Sequence, residues 1–465
     1  MKTSPGPIRA RRLTAAALIV LALLLLVGVS EAGLFDRFRK TDKTETETET
    51  KEEAEESYDY DAGAETPPGR WRTAREWEQQ KELTDEQRDE LSRIGAIGYL
   101  GAVNPAPAAS GVTVHDKSRA YQGYNFYTSG HLPGAVLMDM EGNVLHEWRL
   151  EFQDAWPDCP EDIYRADLEF TPKRMRNPDF WFRARLLENG SVISLFEDLG
   201  IFQVDSRSQL QWKLQGRFHH DFDIRDDGVV YALVRRPTEY GLFGRGEMIY
   251  DDGIALIGPD GLIGITSIIN CIIDSPYVDL LYRMKRKGDL LHTNTLEILD
   301  GRLASRLPAF KKGNILISLR ESCTIAVIDL EAEKVVWALD GMWVEQHHPT
   351  VLDNGNIMIF DNRGNYGKSE ILEFDPVTQE VEWEYKGDGT FFSRQCGANQ
   401  RLPNGNTLIT ESDYGRAFEI TPAGDIVWEF VNPARGGENN ELIATILDVV
   451  RIPPDFPLDW LGNAE

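Results

Sequence analysis

VLDNGNIMIFDNRGNYGKSEILEFDPVTQEVEWEY, residues Val351 to Tyr385, runs through an Asn-Gly turn into a short apolar strand and then through a strand pair that ends on a tryptophan. Asn-Gly between apolar strands favours a tight hairpin, and the expectation is a primed turn with both central residues at positive φ. The first half recurs as LLENGSVISLF (Leu186–Phe196), FKKGNILISLR (Phe310–Arg320) and RLPNGNTLITE (Arg401–Glu411). The second recurs as AVLMDMEGNVLHEW (Ala135–Trp148), IAVIDLEAEKVVWAL (Ile325–Leu339) and FEITPAGDIVWEF (Phe418–Phe430). The closing tryptophans are Trp148, Trp212, Trp337, Trp383 and Trp428, and DDGIALIGPDGLIGITSI (Asp251–Ile268) is a copy that lacks one. The last two steps are about 45 residues each, the length of one four-stranded propeller blade, while wider early steps imply loop insertions. The expected fold is therefore all-β, a six-bladed β-propeller over residues 112–452, with a solenoid or sandwich as the alternative. The tryptophans read as core packing and not as a cofactor box.

Outward from the repeats the chain changes character. Its 465 residues are compatible with one propeller, and 42% apolar residues with a mean hydropathy of −0.37 describe a globular protein and not a multi-span membrane protein. A formal charge of −27, with no basic stripe downstream of the N-terminus, sets the chain against nucleic acid. Lys2, Arg9, Arg11 and Arg12 precede an apolar run from Leu13 to Val29, the charge order of an export signal. Ser30-Glu31-Ala32 suits cleavage, while the run itself is nearly long enough to span a bilayer. Residues 1–32 are thus a signal peptide or a membrane anchor, and the expected location is periplasmic or extracytoplasmic, with membrane contact only through this segment. Arg11-Arg12 reads as ordinary charge and not as a twin-arginine signal.

The acidic run from Thr41 to Gly69 cannot bury a core, so residues 33–82 are expected to be a disordered linker. Thr84 and Gln87 form a capping-box pattern for a short helix, and a Pro/Ala-rich boundary closes the 83–111 segment. Residues 453–465 remain as a C-terminal tail. Cys159, Cys271, Cys323 and Cys396 have no C-x-x-C pairing and no histidine spacing suited to zinc. Up to two disulfides and free buried thiols both remain open.

Most of the eight histidines fall in three places: His219-His220, His292 in LLHTNT, and His347-His348. Each place is expected to precede a blade strand, where the loops of successive blades converge on a propeller's channel, and Arg320 ends another such strand. Each histidine alone is more often structural, and a His-His pair can also ligate a metal. Arg320 argues instead for an anion, because a guanidinium repels a cation.

HHDF, LLHTNT, GNILISLR, QHHPTVLDNGNIMIFDNRG and RLPNGNTLITESDYGRAFEITPAGDIVWEF together resemble the bacterial arylsulfate sulfotransferase family, from about Gly123 to Phe430. The resemblance implies a six-bladed periplasmic propeller that moves a sulfuryl group between phenols without a nucleotide donor, through a sulfated histidine. It places the nucleophile at His347 and the other catalytic positions at His220, His292 and Arg320. Substrate-contact candidates beside them are His219, His348, Asn294 and Asn362, and a slip of register would exchange the members of either histidine pair. The implied partners are an aryl sulfate donor and a phenolic acceptor, with no cofactor and no metal.

These side chains suit that chemistry. A neutral imidazole can attack sulfur and split one hard transfer into two easier ones. Arg320 and His292 would donate to the sulfuryl oxygens, and His220 would protonate the departing phenolate and later deprotonate the acceptor. For an aryl-binding wall Tyr124, Phe126, Trp343 and Tyr366 are candidates, although each is also a natural core residue. The best-known members of that family carry a β-rich N-terminal domain before the propeller, where this chain is expected to have an anchor, an acidic spacer and one short helix. The alternative reading is a membrane-anchored propeller that binds an anionic ligand or a protein partner without turnover. A metal- or quinone-dependent propeller oxidoreductase finds no cofactor motif.

Overall fold

The hairpins of the repeat close by a different turn from the one expected. In the computed structural model, which describes residues 104–159, 178–243, 248–284, 288–389, 391–436 and 439–463, only the glycine of each Asn-Gly pair has positive φ: Gly190 at 80°, Gly355 at 84° and Gly405 at 89°. Leu352 N–H donates to the Asn356 carbonyl and Gly355 N–H to the Leu352 carbonyl, so three residues close the loop. This is a type I turn followed by a left-handed residue. The asparagine stays right-handed because its side chain is used locally: Asn189, Asn354 and Asn404 each accept the N–H two residues on, at 3.0, 3.0 and 3.1 Å.

Stacked four deep, these hairpins form six antiparallel sheets, so the architecture is the expected six-bladed β-propeller. Blade 2 runs from Ala184–Leu186 to Leu210–Gln215, blade 3 from Phe218–Ile224 to Gly261–Ser267, blade 4 from Thr293–Ile298 to Lys334–Asp340 and blade 5 from His347–Val351 to Val381–Tyr385. Blade 1 joins the first and last strands of the ring: the strand Ile446–Ile452 pairs with Tyr124–Ser129 and lies innermost. Blade 6, from Ala398–Arg401 to Ile426–Val431, gains a fifth, outer strand from Gly111–His115. The ring is thus latched twice. At the latch Arg451 and Glu419 are wholly buried and 2.8 Å apart, Arg451 donates to Asn125 Oδ1 at 2.8 Å, and its guanidinium covers the Trp428 ring.

Every closing tryptophan lies on the fourth strand of its blade. Trp148 and Trp428 are fully buried, and Trp212, Trp337 and Trp383 are half-buried between blades. In blade 3, which lacks one, Leu262, Ile263 and Ile265 of the outer strand are exposed. Among the described residues the insertions carry short helices, Phe152–Ala155 after blade 1 and Ile268–Ile273 with Asp279–Tyr282 between blades 3 and 4. Residues 453–463 pack back on the ring, with Trp460 against Trp148 at 5.5 Å. All four cysteines are free. The segments read as signal or anchor, linker and short helix lie outside the described residues. Among the described residues no helix is long and apolar enough to cross a membrane.

The first strands of neighbouring blades face one another around the channel, and their polar side chains bind the next strand's backbone. Asp221 accepts from Leu296 N–H, Asp223 from Ile298 N–H, and Thr295 Oγ1 from His348 N–H. The inner strands of blades 3, 4 and 5 are thereby stapled to one another through side chain–backbone hydrogen bonds.

Candidate active site

Regular strands send consecutive side chains to opposite faces. Where the inner strands of blades 3, 4 and 5 begin, that rule is broken by residues in the left-handed region: His220 at φ 56°, His292 at 48° and His348 at 50°. The ladders shift register at the same points, which re-aims the side chains.

In blade 3 the consequence is that both rings of the His219-His220 pair come together, Nδ1 to Nδ1 at 2.9 Å. His220 also meets the His292 ring edge-on, centroids 4.7 Å apart, and Phe182 at 5.5 Å. His347 is 6% exposed and close enough to Arg320 and His292 that both depress its pKa, after burial, which is the larger cause. His347 in turn contributes to the lowering of His220. The four residues expected to be catalytic therefore gather at one end of the channel.

The expected substrate-contact residues divide. His219 stays in the cluster, wholly buried, with Nε2 3.7 Å from Asp252 Oδ1. His348 turns the other way, toward Asn399 and the charged group formed by Arg183, Arg185, Asp221 and Asp448. It lines a cavity of about 790 Å³ together with Arg185, Asp221 and Asp448, and His347 is not part of that wall. Burial and Arg183 push His348 down to about 4.

The two asparagines are occupied by the protein itself. Asn362 donates to the Ser393 and Cys396 carbonyls at 2.8 and 2.9 Å and turns Oδ1 to His347 Nδ1 at 2.8 Å. Asn294 donates to the Gln346 carbonyl at 2.9 Å and receives Thr295 Oγ1, so it holds the backbone just before His347. Of the aryl-wall candidates, Phe126 and Trp343 are core residues, Tyr124 packs against the blade 1 core and Tyr366 is 95% exposed. The aromatic ring that touches the cluster is Phe182.

Behind the histidines stands a tier of charged residues that the motifs did not single out. Asp289 receives His292 Nδ1 at 2.7 Å and His292 N–H at 3.1 Å. Burial opposes its ionisation, but His292 and Arg235 outweigh burial and hold it well below the usual carboxylate range. Glu197 accepts the His220 backbone N–H at 2.9 Å and lies 3.3 Å from its ring Nδ1. Arg235, fully buried over the Tyr250 ring, is clamped by both Asp198 oxygens at 2.7 and 2.6 Å and reaches toward Asp289 and Glu197. Arg320 is held between Glu321 at 2.7 Å and Glu345 at 2.6 Å. Asp289, three residues before His292, and Glu321 and Glu345, beside Arg320 and His347, carried a visible signal in the sequence. Glu197-Asp198 sits in a turn of blade 2, and Arg235 is one charge in an apolar strand.

Among the described residues Glu197, His219 and His220 bring ligand-type atoms within 4.8 Å of one another. The His219–His220 and His220–Glu197 contacts, at 2.9 and 3.3 Å, are in the range of hydrogen bonds, and the Arg235 guanidinium adds a fixed positive charge 3.9 Å from Glu197 Oε1. Chemically the cluster combines uncharged imidazoles with cationic donors in a buried site, a setting suited to an anionic group.

Fold and site thus define a six-bladed propeller protein with a histidine- and arginine-lined end to its channel. Residues 183–433 match the family model described as arylsulfotransferase (ASST), and the chain belongs to that family. Its general activity is aryl sulfate sulfotransfer, and the protein is a transferase. No curated protein matches the chain. Among solved structures it is similar to a protein of unknown function from Bacteroides caccae, 11% identical over 70% of this chain and 98% of that one, with a TM-score of 0.44. It is also similar to the β-propeller domain of Cps50 (Swd1) from Myceliophteria thermophila, at 8% identity over 75% and 99% with a TM-score of 0.41. Virginiamycin B lyase from Staphylococcus aureus shares 13% identity over 71% and 86%, with a TM-score of 0.38.

Proposed function

We propose that the protein moves a sulfuryl group from an aryl sulfate to a phenolic acceptor in two steps, through a sulfated His347, without a nucleotide donor. The observation that carries this reading is the pairing of His347 Nδ1. Both of its partners, Asn362 Oδ1 at 2.8 Å and the Glu345 carbonyl at 3.1 Å, can only accept, so Nδ1 holds the proton and Nε2 the lone pair. Burial, then Arg320, keep the ring uncharged at neutral pH, as a nucleophile requires.

Nε2 attacks sulfur as the S–O bond to the aryl group breaks, and the bonding pair leaves on the phenolic oxygen. Arg320 and His292 donate to the sulfuryl oxygens while charge is redistributed, and His220 supplies the proton to the departing phenolate. The acceptor phenol then reverses the sequence: it loses its proton to His220, attacks the sulfuryl group and frees His347. Asn362 and Asn294 are positioning residues for His347, and the reaction takes place outside the cytoplasmic membrane.

Initial rates of nitrophenolate release from 4-nitrophenyl sulfate, measured over a grid of phenol concentrations, test this. Parallel double-reciprocal lines and loss of release in His347→Ala support it. Tight binding of aryl sulfates by folded protein with no release at any phenol concentration would favour the binding propeller.

A further inference from the structure

His220 has a task its surroundings oppose. Burial first, and then His292, His219, Arg235 and His347, all disfavour a charge on its ring. A neutral imidazole that gives the proton of Nε2 to a leaving group must regain one at Nδ1, or it becomes an anion. The partner on Nδ1 therefore decides whether the ring can act.

Two groups stand there, His219 Nδ1 at 2.9 Å and Glu197 Oε1 at 3.3 Å. Glu197 is fixed by its other oxygen, which accepts the His220 backbone N–H at 2.9 Å, so Oε1 is the oxygen presented to the ring. The carboxyl comes from the turn that joins the blade 2 strands Val192–Phe196 and Gly200–Val204, and it is 8% exposed. Burial raises it to about 8; Arg235 opposes this, and Asp198 and Asp289 add to it. Asp198 and Asp289 themselves face Arg235, and Asp252 lies behind His219.

We infer that Glu197 is the proton reservoir behind His220, giving a proton through the ring to the departing phenolate and taking one back from the acceptor. The inference rests on the sulfuryl-transfer reading. As the S–O bond breaks, Nε2–H of His220 protonates the phenolic oxygen, Glu197 Oε1–H protonates Nδ1, and the ring ends as its other neutral tautomer beside a carboxylate. The acceptor half-reaction returns both protons along the same path. Glu197 never touches substrate and acts only through His220.

The test compares 4-nitrophenyl sulfate, whose phenol is a good leaving group, with phenyl sulfate, whose phenol is about as weak an acid as a tyrosine side chain. In Glu197→Gln, shown to be folded by its circular dichroism and melting curve, kcat/KM for phenyl sulfate falls about 100-fold while that for 4-nitrophenyl sulfate falls far less. Glu197→Asp recovers part of the loss. In the unmodified protein kcat/KM for the donor declines as pH rises through about 8, and this limb disappears in Glu197→Gln. An equal loss for both donors would make Glu197 structural and overturn the inference. So would activity that is abolished by a chelator and restored by zinc, since the cluster would then hold a metal. Absence of transfer in the unmodified protein would remove the inference together with the reading beneath it, a result distinct from either.

Discussion

His347 and Asn362 are joined through Nδ1 and Oδ1 at 2.8 Å, whereas the neighbouring His292 has an ionised carboxylate, Asp289, on the same ring atom at 2.7 Å. An amide oxygen on Nδ1 leaves the His347 imidazole neutral with its lone pair on Nε2, while the Asp289 carboxylate fixes the orientation of the His292 ring. The two rings are thereby separated in role, one as nucleophile and the other as donor. Asn362→Asp should erase the difference: the new carboxylate favours protonated His347, so kcat/KM at neutral pH falls about tenfold or more and recovers as pH rises. A pH–rate profile checks this, and an unshifted profile would contradict it.

Asp289→Asn keeps the shape but removes the charge and offers the wrong hydrogen-bonding partner to His292. The rate should fall about 100-fold at saturating donor, with KM changing much less, because the donor contact is most needed when charge moves onto the leaving group. Steady-state kinetics with two aryl sulfates measure it.

The latch makes a stability prediction. Arg451→Met leaves the Glu419 carboxylate in the core without its cation, at about 3 kcal/mol or more. Adding Glu419→Gln removes the stranded charge, so the double variant should melt above the single one. Thermal or urea unfolding of the two variants decides this.

How stability varies with pH follows from buried groups of opposite sign. His219, His220, His347 and His348 have folded pKa values below the unfolded 6.5, so their contribution is present above 6.5 and is lost as pH falls. Glu197 and Glu297, each raised to about 8, and Asp252, raised to about 7, behave oppositely: their contribution is full at low pH and is lost as pH rises toward those values. Melting temperature should therefore peak near pH 6 to 7 and decline on both sides. A monotonic rise from pH 5 to 9 would contradict the burial of these carboxylates in protonated form.

The blades were legible because the same two hairpins recur, most of them marked by a turn ending in glycine and five of them by a terminal tryptophan. The turn type was not, since Asn-Gly serves both primed turns and the Asx-stabilised turn seen here, and only the side chain's choice of partner separates them. Strand position pointed to the two histidine pairs, His292 and Arg320 as neighbours, while the choice of His220 and His347 within their pairs came from the family resemblance. His348 was not separable from His347 in sequence, because a left-handed residue reverses the alternation between them. Glu197, Asp198 and Arg235 escaped for another reason: they meet only when the turn of one blade reaches the inner strand of the next. The tail after residue 452 looked unattached, yet Gly190 at φ 80° leaves room for Trp460, where a Cβ would stand 2.4 Å from the ring.

The central claim is the covalent step at His347. The protein is mixed with 4-nitrophenyl sulfate without acceptor, nitrophenolate is followed by stopped flow, and the alkali-quenched protein is digested and its peptides weighed. One equivalent of nitrophenolate should appear in a burst, with a sulfuryl group on the peptide carrying His347, and the burst should be about tenfold slower or more in Asn362→Asp at neutral pH. A burst-free trace with turnover on later addition of phenol, or a sulfuryl group on any other residue, would contradict the account.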